Sequence, residues 1–282
     1  MTDQLRRIQG RPAGRARRGA VAAMTALAAA GLVSSAYLAG SGVALAAPTT
    51  GRARVAVHPA SGRPLAGKII GIDPGHNGRN WTDPAFLNRQ IWNGREWENC
   101  DTTGTATASG YAEARYNFNV ARYLRADLRR AGARVVMTRT NNHGIGPCVN
   151  RRARIIDRAH ADVAVDIHAD WAPSSGRGFA ILEPVKDGPN NHVIRPSVRL
   201  GRDIRKAFRA GTKMPVSNYD GVHGIKFRND LAGLNLTTVP KILIECGNMN
   251  NATDARMLTS ARFQRRAARA LEAAIISFLA GR

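Results

Sequence analysis

The chain has 282 residues and a formal net charge of +22, with 42 lysines and arginines against 20 acidic residues. This length predicts one large domain or two small ones. A surface so basic attracts polyanions. No basic run is interleaved with aromatic residues, as a base-stacking surface would require, so the pattern argues against nucleic acid as the partner.

Residues 1–46 have the composition of a secretory signal peptide. Six arginines precede an apolar, alanine-rich stretch from Gly19 to Gly40, and Ala44-Leu45-Ala46 has the small-residue pattern that signal peptidase accepts. We therefore expect export with cleavage near Ala46. The alternative is a retained membrane anchor, because the apolar stretch approaches the length of a membrane span.

The rest of the chain divides into a linker and a domain. Residues 47–64 are rich in Pro, Gly and Arg without periodicity, which predicts a disordered linker before a single catalytic domain at 65–282. Short runs rich in Val and Ile predict strands buried on both faces, namely Lys68–Asp73, Arg134–Thr138, Asp162–His168, Gly178–Leu182 and Lys241–Glu245. Periodic apolar positions predict four helices, namely Ala114–Ala131, Asn150–His160, Ser197–Arg209 and Ala261–Leu279. This alternation predicts an α/β domain with a mixed, largely parallel twisted sheet and helices on both of its faces.

Three cysteines in an exported chain predict one disulfide and one free thiol. Cys100 and Cys148 lie in polar, loop-like sequence and form the expected pair, whereas Cys246 ends an apolar strand pattern and is expected to be a buried thiol. Cys100 belongs to a polar segment, Asn77–Gly110, that is long for a loop and so needs a function or a tether. We expect its three tryptophans to pack within the loop; a sugar-binding platform is the alternative.

Chemistry-bearing side chains follow three of the predicted strands. His76 comes after the first strand, while His168 and Glu245 close two others. In open α/β sheets ligands gather outside the carboxyl ends of the strands, so these residues are expected to share a site. Two histidines and a carboxylate are the usual ligands of a catalytic zinc with an open fourth position. A further carboxylate is needed to transfer the proton. The spacing alone does not assign the two acidic roles among the candidates Glu96, Glu98, Glu113, Asp166, Asp170 and Glu245.

Four stretches in this order resemble the conserved blocks of zinc-dependent N-acetylmuramoyl-L-alanine amidases: IGIDPGHNG, EARYNFNVARYLRADLRRAGARVVMTRT, RRARIIDRAHADVAVDIHAD and LTTVPKILIECGNMNN. The resemblance extends over roughly 67–279. It implies that His76, Glu113 and His168 bind Zn²⁺ and that Glu245 is the catalytic acid–base residue. The implied reaction is hydrolysis of the amide between N-acetylmuramic acid and L-alanine of the peptidoglycan stem peptide, in cell-wall remodelling, septal cleavage or recycling.

The chain departs from the family pattern around one ligand. It has Asp166-Ile-His168-Ala-Asp170 where the family often has Ser-Ile-His-Ala-Asn, which bears on substrate contacts and pH optimum. We expect substrate contacts from Asp170, from Asn77, and from His223 in a glycine-rich stretch.

The expected partners are peptidoglycan and its muropeptide fragments, met in the periplasm, cell wall or medium. Because the resemblance extends to about residue 279, we expect no separate wall-binding module and expect the basic surface to contact anionic wall polymers. A monomer is the default expectation. The rival functions are a zinc peptidase acting within the stem peptide and a non-catalytic wall-binding protein.

Overall fold

The structure is a computed structural model that describes residues 62–281. The predicted signal peptide and nearly all of the predicted linker therefore lie outside the described residues. Within residues 62–281, no helix has both the length and the apolar character needed to cross a membrane.

A six-stranded sheet forms the centre of the domain. Its strands are β1 (Ile69–Pro74), β4 (Arg134–Met137), β5 (Val163–Asp170), β6 (Ala180–Pro184), β7 (Ile225–Arg228) and β8 (Lys241–Asn248). Their spatial order is β4-β1-β5-β8-β6-β7. Only the β6–β8 pair is antiparallel. The predicted mixed, largely parallel sheet is confirmed, and all five predicted strands are present.

Helices cover both faces of the sheet, as predicted. The described helices of four residues or more are α1 (Pro84–Leu87), α2 (Glu113–Arg130), α3 (Val149–Arg158), α4 (Ile194–Thr212), α5 (Ala232–Asn235), α6 (Ala252–Leu258) and α7 (Ala261–Leu279). Buried side chains of α2, α4 and α7 form the main core against one face. Smaller apolar clusters join α3 and α5 to the opposite face.

The alternation of side chains along β5 separates the core from the chemistry. Val163, Val165 and Ile167 enter the main core. Successive side chains in a strand point to opposite faces, so Asp166 and His168 lie on the face covered by α3 and α5. Parallel register makes His168 the partner of Glu245 on β8. The same pleat that builds the core therefore presents a histidine and a glutamate side by side on the other face.

Two parts of the sheet structure have no counterpart in the predicted elements. β7 is a four-residue edge strand with charged residues at alternate positions. Its apolar pattern is therefore too weak to predict a strand from the sequence. A small hairpin of β2 (Gln90–Trp92) and β3 (Trp97–Asn99) lies within the long polar segment.

The segment 77–110 is tethered as the sequence predicted. Cys100 is joined to Cys148, and Cys246 is a buried free thiol. Of the three tryptophans expected to pack within the loop, Trp92 and Trp97 do so while staying 46% and 66% exposed, whereas Trp81 is 70% exposed. Trp92 and Trp97 contact each other edge to face across the hairpin, so they stabilise its tip without being buried.

Replacing both Cys100 and Cys148 with serine should lower the free energy of unfolding by about 2–4 kcal/mol. The reason is that the bridge spans 48 residues and restricts the unfolded chain over that length. Urea unfolding followed by circular dichroism measures the loss. The control is the same comparison in reducing buffer, where the difference should disappear. Equal stability of the two proteins in oxidising buffer would contradict the prediction.

Candidate active site

Three elements bring polar side chains to one edge of the sheet. His76 lies in the turn after β1, where its backbone has a positive φ of 55°. The preceding Gly75 donates its N–H to the carbonyl of Ile167 at 3.0 Å, which ties this turn to β5. His168 is itself on β5, and Glu113 is the first residue of α2. The site therefore joins two neighbouring strands and one helix N-terminus.

The donor atoms of His76, Glu113 and His168 lie within 4.8 Å of one another. Glu113 is buried between the two imidazoles, with one carboxylate oxygen 3.3 Å from His76 Nε2 and the other 3.0 Å from His168 Nδ1. The Ala169 and Thr105 N–H groups also donate to this carboxylate. Two imidazole nitrogens and one carboxylate oxygen are the donor set that catalytic zinc sites use. The residues fit a metal ion of this kind.

The charges of this cluster stabilise one another. Burial opposes ionisation of both partners, but the His76 and His168 imidazoles lower the pKa of Glu113 well below its usual value. In turn the Glu113 and Asp101 carboxylates outweigh burial and raise the pKa of His76 to about 10. A metal ion that binds here must displace a proton from His76, so metal binding should become weaker as the pH falls.

Glu245 differs from Glu113 in its surroundings. It is the register partner of His168, and one of its carboxylate oxygens is buried without a hydrogen-bond partner among residues 62–281. Burial raises the pKa of Glu245 well above its usual value, and the negative charges of Glu113 and Asp170 add to the effect. A carboxyl group whose pKa is raised in this way can act as a general acid and base.

A buried network of charges lies beneath the site. Arg152, which is 2% exposed, contacts Asp73 at 2.9 Å and Asp101 at 3.1 Å. Lys241 is fully buried and lies 2.8 Å from Asp166 and 3.7 Å from Asp73. Arg152 and Asp101 lie in polar sequence and were not predicted as site residues, and neither was Lys241. The detectable signal was a charged residue inside an apolar strand, as at Asp166 and Lys241.

A cleft of about 220 Å³ opens beside the two histidines. It lies between the α3/α5 face of the sheet and the tethered segment, with Glu98 and Asp101 on one side and Gly233 on the other. Of the acidic candidates left open by the sequence, only Glu113 belongs to the cluster of possible ligands in the described part of the chain.

The predicted substrate contacts are placed unequally. Asp170 ends β5 and its carboxylate accepts the N–H of Trp171. His223 is exposed and precedes the edge strand β7; its backbone carbonyl accepts from Arg205. Asn77 is buried, with its amide donating to the Gly146 carbonyl. Contacts of these three residues with substrate stay predictions.

Gly75 is the residue that lets His168 reach the cluster. A Cβ atom at this position would lie 2.2–2.7 Å from three atoms of the His168 ring, far inside van der Waals contact.

Gly75→Ala should therefore displace the His168 imidazole and weaken the affinity of the cluster for a divalent metal ion, probed with Zn²⁺, by about 10–100-fold, the loss typical when a ligand's orientation is disturbed. Competition with a chromophoric chelator measures the affinity. Gly62→Ala is the matched control, because a Cβ there meets nothing within 4 Å. Unchanged zinc affinity in the folded Gly75→Ala protein would show that the ring does not need this space.

Comparison with known proteins agrees with this geometry. Residues 70–277 match the model of the Amidase_3 family, described as N-acetylmuramoyl-L-alanine amidase. The chain is similar to the N-acetylmuramoyl-L-alanine amidase Rv3717 of Mycobacterium tuberculosis, with 38% identity over 242 residues, 85% of this chain and 96% of that protein.

Two solved amidase structures are also similar. One is Ami1 of Mycobacterium smegmatis, with a TM-score of 0.73 and 37% identity, covering 77% of this chain and 99% of that one. The other is the apo form of Ami1 of Mycobacterium abscessus, with a TM-score of 0.72 and 38% identity, covering 76% and 100%. With its fold and with the donor cluster at the carboxyl edge of the sheet, this chain belongs to the N-acetylmuramoyl-L-alanine amidase family of peptidoglycan hydrolases.

Proposed function

We propose that this amidase is zinc-dependent, with His76, Glu113 and His168 as the metal ligands and Glu245 as the acid–base residue. The observation that carries the proposal is the convergence of the three donor atoms within 4.8 Å of one another beside Glu245. A zinc ion bound there would polarise the scissile carbonyl and lower the pKa of a water molecule.

The residues of the chain divide the remaining work. Glu113 is held ionised by its two histidine neighbours and so serves as an anionic ligand. Glu245 has a raised pKa, which suits it to take a proton from the attacking water and return it to the leaving amine of L-alanine. The two carboxyl groups can thus divide the roles of ligand and proton carrier, because their surroundings shift their pKa values in opposite directions.

The setting of the reaction is proposed from the same considerations. We infer that the protein is exported after cleavage near Ala46 and acts as a monomer on peptidoglycan, in remodelling, septal cleavage or recycling of the wall. One relative, from Staphylococcus epidermidis, is named a probable cell wall amidase, and this name supports a wall-associated site of action. Asp170, Asn77 and His223 are proposed substrate contacts. Asp170 is half-buried and His223 is exposed, so both are more accessible than the buried Asn77.

Glu245→Gln should lower kcat by about 100–10,000-fold, the range for loss of a general acid–base residue, while zinc stoichiometry stays unchanged. The assay digests purified muropeptides and identifies the products by mass. The proposal expects an intact stem peptide beginning at L-alanine, and no product after chelation of the metal.

Glu272→Gln is the matched control, because this glutamate lies on α7 against the opposite face of the sheet. Cleavage within the stem peptide would instead make the protein a peptidase. Full activity of Glu245→Gln would remove Glu245 from the mechanism.

Anionic wall polymers are the second partner that we propose, and α4 offers a surface for them. Arg202, Lys206 and Arg209 are exposed and recur at a spacing that places them along one side of the helix. A row of positive charges attracts a linear polyanion, and dissolved salt screens this attraction.

Replacing these three cations with glutamine should weaken binding to wall polymers by at least roughly tenfold at low salt, about 1.4 kcal/mol, and flatten its salt dependence. Sedimentation with purified cell walls at increasing salt measures both. The matched control replaces three exposed arginines of α7 (Arg262, Arg265 and Arg269). Unchanged binding of the α4 variant would refute the proposed surface.

A further inference from the structure

We propose that Asp101 is a positioning residue for the reaction: it fixes the tautomer and direction of the His76 imidazole, and Arg152 with the Cys100–Cys148 bridge holds Asp101 in place. The inference rests on the metal centre proposed above and adds the groups behind one of its ligands.

The two nitrogens of His76 face different partners. Nε2 lies 3.3 Å from Glu113 and so faces the ligand cluster. Nδ1 lies 3.2 Å from Asp101 Oδ1 and 3.2 Å from the backbone carbonyl of Thr102. A carbonyl oxygen and an ionised carboxylate can both accept a hydrogen bond, but neither can donate one. Nδ1 therefore donates to these acceptors, and the proton that a metal ion must displace from His76 is the one on Nε2.

Asp101 has little freedom to leave this position. Its Oδ1 accepts the N–H of Thr102 at 2.7 Å, and its Oδ2 accepts from the Arg152 guanidinium at 3.1 Å. Both side chains are buried. Rotating the Asp101 carboxylate away would leave a buried guanidinium with one fewer counter-charge, which is strongly unfavourable.

Arg152 also donates hydrogen bonds to the backbone on either side of the turn that carries His76. It donates to the His76 carbonyl at 3.0 Å and to the Pro74 carbonyl at 2.9 Å. The left-handed backbone of His76 is uncommon for a residue other than glycine and persists only where its surroundings impose it. A single guanidinium thus restrains the backbone of this ligand directly and its ring through Asp101.

The disulfide also restrains the positions of Asp101 and Arg152. Asp101 directly follows Cys100, and Arg152 lies four residues after Cys148 at the start of α3. The Val149 N–H donates to the Cys100 carbonyl at 2.8 Å beside the bridge. The covalent bond therefore holds together the two segments that supply Asp101 and Arg152.

A purely structural role for Asp101 would be to neutralise Arg152. Such a role would lower the stability of the fold without changing the metal affinity of the folded protein. A carboxylate behind a metal-binding histidine raises the basicity of the ligand and fixes its ring, and loss of such a partner typically weakens metal binding by about 10–100-fold. Zinc affinity separates the two roles.

The test measures zinc affinity of Asp101→Ala and Asp101→Asn by chelator competition, at a temperature where circular dichroism shows the metal-free proteins folded. We expect about a 10–100-fold loss for Asp101→Ala. A smaller loss, about three- to tenfold, is expected for Asp101→Asn, whose amide oxygen still accepts from Nδ1 but carries no charge. The Cys100→Ser/Cys148→Ser protein should also bind zinc more weakly than the native protein.

Asp127→Asn is the matched control, since Asp127 pairs with Arg130 on α2, about 21 Å along the helix from Glu113. ¹⁵N NMR of the zinc-loaded protein should show the Nδ1–H tautomer of His76. Native affinity in Asp101→Asn would overturn the inference, even where Asp101→Ala does not fold. Absence of zinc binding by the native protein would overturn the metal centre instead.

Discussion

The buried guanidinium of Arg152 is the interaction on which the geometry of this amidase depends. It pairs with Asp73 at the end of β1 and with Asp101 in the tethered segment. It also donates to the carbonyls of Pro74, His76, Gly146 and Pro147. A buried charge pair adds little net stability, but removal of one partner costs about 3–5 kcal/mol. Because every acceptor lies near the turn that carries His76, this energetic penalty keeps that turn in one conformation.

The electrostatics of the site follow from where charge is and is not compensated. Arg152 and Lys241 overcome the effect of burial and lower the pKa of Asp73 to about 2, so this carboxylate stays ionised. Glu113 is likewise kept ionised by two histidines, whereas burial and the Glu113 and Asp170 carboxylates raise the pKa of Glu245 against the opposing charge of His76. Within one sheet edge, Asp73 and Glu113 are kept ionised by their cationic partners, whereas Glu245, whose pKa is raised by burial, is suited to carry a proton.

Much of the fold and part of the site were accessible from the sequence for identifiable reasons. His76, His168 and Glu245 follow apolar runs, and parallel strands end at a common edge, so their convergence followed from periodicity. Glu113 did not, because it begins a helix where an acid is unremarkable; only the family resemblance identified it. Arg152 and Asp101 lie in polar sequence and meet through tertiary contacts. Trp81 was expected to pack within its loop but is exposed, because aromatic character alone does not determine burial.

The departure at Asp166 is best understood together with Lys241. This aspartate buries a carboxyl group beside Lys241 and in register with Asp73 of β1. Burial and the charge of Asp73 raise the pKa of Asp166 to about 7 even though Lys241 lies 2.8 Å away. Without Lys241, Asp73 and Asp166 would have to share Arg152 as their cationic neighbour. Asp166 and Lys241 therefore form one buried charge pair on the face of β5 that also carries His168.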